Sequence, residues 1–472
     1  MKMKSLALWL AVPFAFSSVS ALAADLEWSG TYRIEGVFIK DSEASSGKGT
    51  EKSYGLHHLI LRPKIVASDN LTIYSQFNLF SNSAFPNSQL GQYFGNGPQG
   101  AGAANSVDDS NTLGDHEKSE ELLITQLYLS MTQEYGALVA GRVPLQFGLG
   151  ATHNAGNGLF DHWFDTRDLV GYKFIMGNLF FLPMVGKKHE GVLNHSDDVS
   201  SYIFHFQYDN YETNLSMGVF YEMNTANDQA SQGPTGSFPG AVAGQTGKLN
   251  EKTVSIFALK ETDLFRLGVE AGFQSGETGM KTAADKNITW DGFGVVGEFE
   301  YRPQGSLWKY GALAGYVSGD DPDTDGKFEG FVLDRNYDVA FLLFNHQLGQ
   351  DDFFGTKGFG GGGSTTGNQQ PDVEAVSNAM YLAPYARYQW SDNWAMGTKL
   401  ATGWLVQNPL SGKDVKKDLG YELDLSLEYS PKKGVKWVNE VGYLFTGDAF
   451  KGGGQYDANN VMGVSTKAAI SF

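Results

Sequence analysis

The stretch "LGYELDLSLEYS", residues 419–430, alternates apolar and polar residues, with Leu419, Tyr421, Leu423, Leu425, Leu427 and Tyr429 in one set. Gly420, Glu422, Asp424, Ser426, Glu428 and Ser430 fill the other. A period of two puts unlike residues on the two faces of a β-strand. The same alternation recurs in "LEWSGTYRIEGVF", "LTIYSQFNLF" and "FRLGVEAGF". An apolar strand face needs either a protein core or lipid, and the connections between the strands separate the two cases.

Those connections alternate short and long. Tight turns fall at 68–70, 133–136, 208–212, 261–263, 303–306, 391–393 and 431–434, while long polar segments run over 40–53, 81–120, 150–170, 224–250, 276–288, 318–377 and 448–459. A sandwich has no reason to sort its loops in this way, whereas a transmembrane barrel has short periplasmic turns and long extracellular loops. We therefore expect an all-β, transmembrane, antiparallel up-and-down β-barrel. Eighteen strands can be placed; sixteen is the alternative count, its least secure pair being "GYKFIMG" and "LFFLPMVGKK" around Gly177-Asn178. Aromatics near strand ends (Trp28, Phe38, Trp308, Tyr316, Trp394, Trp404, Trp437, Phe445) fit two interfacial belts.

Residues 1–23 read as a secretory signal: Lys2 and Lys4, an apolar "SLALWLAVPFAF", and Ala21-Leu22-Ala23 as the cleavage site. Residues 24–472 then form one barrel domain, with the principal extracellular loops at 81–120, 150–170, 224–250 and 318–377. Removing the signal takes the formal net charge from −18 to −20, and no basic patch with interleaved aromatics argues for nucleic acid. With no Cys in the chain, disulfides, thiolate metal sites and lipoprotein processing are excluded. Alternation beginning at Leu26 leaves no room for an N-terminal plug.

Parity and charge together assign Arg33, Arg62, Lys64, Arg142, Gln146, Glu422, Asp424 and Glu428 to the pore lining. Basic early strands facing an acidic sixteenth would set a transverse field across the lumen; the same charges could instead pair across strands to stiffen the barrel. The loop after the fifth strand carries Asp161, His162, Trp163, Asp165, Arg167 and Asp168, which would set size and charge if it folds inward as a constriction. An outward, solvated loop is the alternative. Asp321, Asp323, Asp325 and Gly326 match the first half of a calcium loop, with Glu329 at its ninth position. Val332 stands where the strong bidentate Glu belongs, so weak calcium is the one cofactor to consider. Downstream, "DVAFLLFNHQL" is too apolar for water and should pack on the mouth or plug it. Asp161-His162 suggests a catalytic pair, yet no Ser or second acid completes it, so we read no enzyme.

The mature chain resembles a Gram-negative outer-membrane porin. The Gly-Arg-x-Pro step at Gly141–Pro144 and "GYVSGDDPDTDGKFEGF" at 315–331 are similar to the 18-stranded alginate-export family. That resemblance implies a conduit for an anionic polysaccharide, but Glu422, Asp424 and Glu428 would repel a polyuronate, so alginate is set aside. The expectation is an outer-membrane channel for passive diffusion of small hydrophilic solutes. Its alternative is an adhesion or structural barrel with acidic loops and a blocked lumen. Partners would be outer-membrane lipid and the barrel assembly machinery, reached through the last strand ending at Phe472. Monomer and homo-oligomer both stay open.

Overall fold

The computed structural model describes residues 25–45, 50–81, 88–94, 122–189, 198–227, 241–324, 326–354 and 374–472. The signal segment and most of 81–120 lie outside them. β1 comprises Asp25–Glu27 and Gly30–Lys40, and β2 comprises Glu51–Leu61 and Lys64–Ser68. There follow β3 (Leu71–Leu79), β4 (Leu122–Gln133), β5 (Gly136–Pro144), β6 (Thr166–Met176), β7 (Leu179–His189) and β8 (Val199–Asn210). Next come β9 (Leu215–Ala226), β10 (Ala241–Glu261), β11 (Phe265–Thr282), β12 (Asn287–Tyr301) and β13 (Trp308–Val317). The last are β14 (Ala379–Gln389), β15 (Trp394–Leu405), β16 (Asp418–Tyr429), β17 (Val435–Thr446) and β18 (Val461–Ser471). Each pairs antiparallel with its neighbours, and β18 pairs with β1 from Thr31↔Ser471 to Lys40↔Met462. The sheet is closed at 18 strands.

The seam is sealed by the last residue, whose amide donates to the Gly30 carbonyl at 3.1 Å while the Gly30 amide donates back at 2.9 Å. β2 is interrupted at Pro63, which has no N–H to give to the ladder. β6 and β7 form a hairpin from Met176↔Leu179, with Gly177 at φ 60° in the turn, so the count is 18 and not 16.

Alternation becomes two environments. Leu423, Leu425 and Leu427 are exposed on the outside, whereas Glu422 and Asp424 are buried inside. The pattern does slip once. Leu419 is fully buried inside, not outside with Tyr421 and Leu423, because Gly420 takes φ 90° at a bulge. A side chain there would meet the Phe445 carbonyl at 1.9 Å, so glycine is required.

β10 and β11 extend well into the segments expected as loops at 224–250 and 276–288, and β12 starts just inside the second, at Asn287. In the tips of β10 and β11, Gly, Thr and charged residues outnumber the few apolar ones, such as Leu249 and Met280, so the two-faced pattern is weak there. β5 is shorter than its apolar run suggests. It stops at Pro144, and the chain turns into the lumen.

The core lies inside the barrel. Val339, Ala340, Phe341, Leu342, Leu343, Phe344 and Leu348 are buried against the inward residues Val37, Ile39, Ala383, Ala401, Leu419, Leu444 and Val461. Each large apolar side chain so covered contributes roughly 1.5–3 kcal/mol. The apolar run in the long connection therefore fills the lumen beside β1 and β14–β18.

Candidate functional site: the lumen and its inward loops

A loop folded inside a barrel carries peptide N–H and C=O groups with no ladder partner, and each must be satisfied. The lumen wall supplies charges for this. Leaving β5, the chain buries Leu145 and Phe147 against Leu169, Met184, Ile203, Phe220 and Phe257. It then reaches β11, where the Leu149 and Thr152 amides donate to the Glu270 carboxylate at 2.6 and 2.8 Å, and Thr152 Oγ1 at 2.7 Å. On the way back it meets β1: Arg33 Nη1 donates to the Asp161 carbonyl at 2.7 Å, and His162 Nε2 lies 2.8 Å from Glu35 Oε1. The loop thus crosses the lumen from β5 to β11 and to β1.

The long connection after β13 is held in the same way. The Leu342 and Leu343 amides donate to the two Glu422 oxygens at 2.7 Å each, and the Phe341 amide donates to Asp424 at 3.1 Å. Lys399 donates to the Val339 carbonyl at 2.8 Å and Lys52 to the Gln347 carbonyl at 2.9 Å. Wall anions take loop amides; wall cations take loop carbonyls.

This arrangement changes the reading of the pore residues. Arg33, Glu422 and Asp424 do point inward, but they are buried under loops and face no water; Arg33 also donates to the Gln89 and Leu90 carbonyls. Opposed charged walls across open lumen are therefore not what these three form. Gln146 belongs to the inward loop, where its Oε1 accepts the Ala155 amide at 3.0 Å. Arg62 donates to Gln76 at 2.8 Å, and Lys64 pairs with Glu27 at 2.9 Å. Glu428 accepts from Arg387 at 2.8 Å and lies 3.1 Å from Lys436.

Arg142, expected in the lumen, lies outside it. It stands opposite Leu127 and Asp168, in the same outward face as Val170, which is 51% exposed. Arg142 and Asp168 make a bidentate pair at 2.8 and 2.9 Å on the outer surface, so neither lines the lumen. Both faces of β5 are apolar around Arg142 (Leu138 and Ala140, Val139 and Val143), so alternation is ambiguous there and charge alone misleads.

Among the other residues of the inward loop, Asp161 caps the Gly158 amide at 2.7 Å, and burial pushes its carboxyl above the ordinary range. His162 faces Glu35 on the wall, so Asp161 and His162 are not paired with each other by any of these bonds. Trp163 is buried beneath the Arg335 guanidinium at 4.5 Å. Asp165 Oδ2 accepts the Asn154 amide at 3.2 Å. Arg167 points into the lumen and donates to Glu222 at 3.1 Å, with His153 on the other Glu222 oxygen at 3.3 Å.

Of the calcium-like set, Asp325 lies outside the described residues. Asp321 Oδ1 caps the Asp323 amide at 3.0 Å, and Glu329 lies 3.3 Å from Lys327. Among the described residues no group of three or more His, Cys, Asp or Glu could hold a metal ion.

The half-exposed charges inside the barrel are mainly others. Arg266 pairs with Glu298; Arg302 bridges Glu300 at 2.6 Å and Glu261 at 2.7 Å; Lys309 lies 3.7 Å from Glu300, and Tyr385 donates to it at 3.2 Å. Towards the extracellular side Glu251 accepts from Gln274 at 2.7 Å and Asn224 at 3.1 Å. Strand alternation places Arg266, Glu298, Glu300, Arg302 and Lys309 on the inward face. What it cannot say is which charges the loops cover.

No family model matches the sequence, and no curated protein matches it. Solved structures do. The chain is similar to Pseudomonas aeruginosa OccK9 (OpdG), with 11% identity, a TM-score of 0.52, and coverage of 94% of this chain and 98% of that one. P. aeruginosa OccK8 (OprE) gives 10% identity and 0.51 over the same shares, 94% and 98%. P. aeruginosa OccK2 (OpdF), solved in complex with glucuronate, gives 10% and 0.50 over 95% and 98%. The fold is that of Gram-negative outer-membrane porins. The likeness to the alginate-export family is not shown by these comparisons.

Proposed function

We propose that the protein is an outer-membrane channel for the passive diffusion of small hydrophilic solutes, and that it does no covalent chemistry. The observation that carries this reading is the closed barrel with a loop slung across its lumen. Below that loop lie partly exposed charge pairs around Glu298, Glu300 and Glu428. Such pairs keep water and ions in a passage that an apolar lining would dry. A loop reaching from β5 to β1 and β11 narrows that passage, so the solutes admitted are small. The residues assigned to the constriction are Asp165 and Arg167, with His162 and Trp163 fixing the loop beside them. The final strand, closed on Gly30 by Phe472, is the segment we assign to recognition by the barrel assembly machinery.

Liposome swelling with neutral sugars of increasing size tests the proposal. Swelling with small sugars that falls away as the solute grows is expected. Vesicles that respond to no solute would leave the adhesion or structural barrel as the reading to adopt.

A further inference from the structure

Two other loops converge on the backbone of His162–Trp163. The Gln89 amide donates to the His162 carbonyl at 2.7 Å, and Ser88 forms a β-bridge with Trp163. On the other side stands Asn336, from the long connection after β13. Its Oδ1 accepts the His162 amide at 3.0 Å and the Trp163 amide at 2.9 Å, while its Nδ2 donates to the Trp163 carbonyl at 2.9 Å. The Asn336 amide donates to Asp334 Oδ1 at 2.8 Å, which fixes the local turn, and the Asp334 amide donates to the Ala151 carbonyl at 2.8 Å. Arg335 stacks on the Trp163 ring between these two residues.

A primary amide is the side chain this position needs. It accepts from two peptide N–H groups and donates to one C=O, as a neighbouring strand would. A carboxylate could not donate, and an apolar group would leave all three backbone groups without their partner. Besides Asn336 and the Asp334–Ala151 bond, the two loops are tied to barrel walls: 149–152 to Glu270, 161–162 to Arg33 and Glu35, and 341–343 to Glu422 and Asp424. Each wall contact fixes one loop to the barrel, whereas Asn336, with three side-chain bonds to His162–Trp163, is the main side-chain tie of one loop to the other. How far the constriction loop reaches into the lumen depends on the bonds that hold it to the long connection.

We propose that Asn336 is a positioning residue that sets the aperture of the channel, by clasping the constriction loop to the connection that fills the lumen beside β1 and β14–β18. The inference rests on the channel reading above and adds the residue that controls the size of the passage. Arg335 reinforces the same clasp through Trp163. Asn336 acts through the loop backbone and Arg335 through the Trp163 ring, neither by contact with solute.

The test uses the full-length protein, refolded or extracted from membranes, as wild type, Asn336→Ala and Arg335→Ala. Heat-modifiable electrophoretic mobility first shows that each barrel is closed. Single-channel conductance and the sugar-size limit in swelling assays are then read. Asn336→Ala should raise conductance by about twofold, since conductance follows the area of the narrowest section, with noisier open steps and entry of larger sugars. Arg335→Ala should move both readouts the same way by less, and it carries the test if Asn336→Ala does not yield a closed barrel. A merely structural role would change barrel yield or melting and leave conductance and size limit as in wild type; that result, or a fall in conductance in either variant, overturns the proposal. A silent wild type would instead overturn the channel reading, and the clasp with it.

Discussion

Removing the Glu422 carboxylate should release the lumen loop without opening the barrel. Glu422 is fully buried, and its two oxygens each take one amide, Leu342 and Leu343, at 2.7 Å. Glu422→Ala leaves both amides without that acceptor, at a cost of about 1–3 kcal/mol each. The sum, about 2–6 kcal/mol, falls on the loop's docking equilibrium and not on the strand ladder, whose backbone bonds are untouched. Phe341, Leu342, Leu343 and Phe344 keep their apolar contacts, roughly 1.5–3 kcal/mol apiece, so the segment loosens in place and does not leave the lumen. Hydrogen exchange with mass spectrometry in detergent reads this directly. Peptides over 338–348 should exchange faster by about 30-fold or more, at 1.4 kcal/mol for each factor of ten. Peptides from β8 should be unchanged. Wild-type protection at 338–348 would refute the idea that wall charges hold the loop. Loss of protection in β8 as well would show that Glu422 supports the barrel itself.

Leu425→Arg, on the lipid face, should cost about 2–4 kcal/mol near mid-membrane, whereas Ser426→Arg, on the lumen face, should be tolerated; equal melting in urea would contradict the assigned faces. Burial, with the Glu329 and Asp321 charges, pushes the Asp320 carboxyl up to about 6 from 3.8. A raised carboxyl stabilises the turn fully below its ordinary value, and that stability is lost as pH rises through about 6. Exchange protection of the Glu329 amide, which donates to Asp320 at 2.8 Å, should therefore fall as pH rises through that value, and Asp320→Asn should flatten the profile. A wild-type profile equally flat would contradict this. Arg142→Ala leaves the Asp168 carboxylate without its bidentate partner on the outward face, so it should melt below the double variant Arg142→Ala, Asp168→Ala, which leaves no unpaired charge there; equal melting of the two would contradict this.

Much of the architecture was legible because lipid and lumen impose opposite chemistries on alternate residues. Leu423, Leu425 and Leu427 against Asp424 and Glu428 is a pattern that one backbone geometry explains, and the turn-and-loop rhythm closes the barrel. The alternation fails where one of the two environments is missing. At the tips of β10 and β11 polar residues and glycines interrupt the alternation, and around Arg142 both faces are apolar. Gly420 shifts the register by a bulge that no polarity pattern announces. The candidate site was less legible, for a different reason. Glu422 and Glu300 look alike as inward carboxylates, yet the first is sealed by loop amides and the second is half-open beside Arg302 and Lys309. That distinction depends on where long loops come to rest. The apolar run at 338–348 announced that it must be buried, but nothing local to it announced the wall against which it lies. Asn336 is an ordinary loop residue in sequence; its value comes from the two backbone amides it happens to face.

The reversal potential of single channels in a dilute salt gradient tests most directly whether the half-open lumen charges line a conducting path. Arg302 and Lys309 flank Glu300 inside the barrel, while Arg142 lies outside it. Replacing Arg302 and Lys309 together by Gln should move the reversal potential towards cation selectivity, and the shift should shrink in molar salt, where the screening length is about 3 Å. Arg142→Gln should leave the reversal potential unchanged at every salt concentration. A reversal potential indifferent to Arg302 and Lys309, or one that moves with Arg142, would contradict the path assigned here.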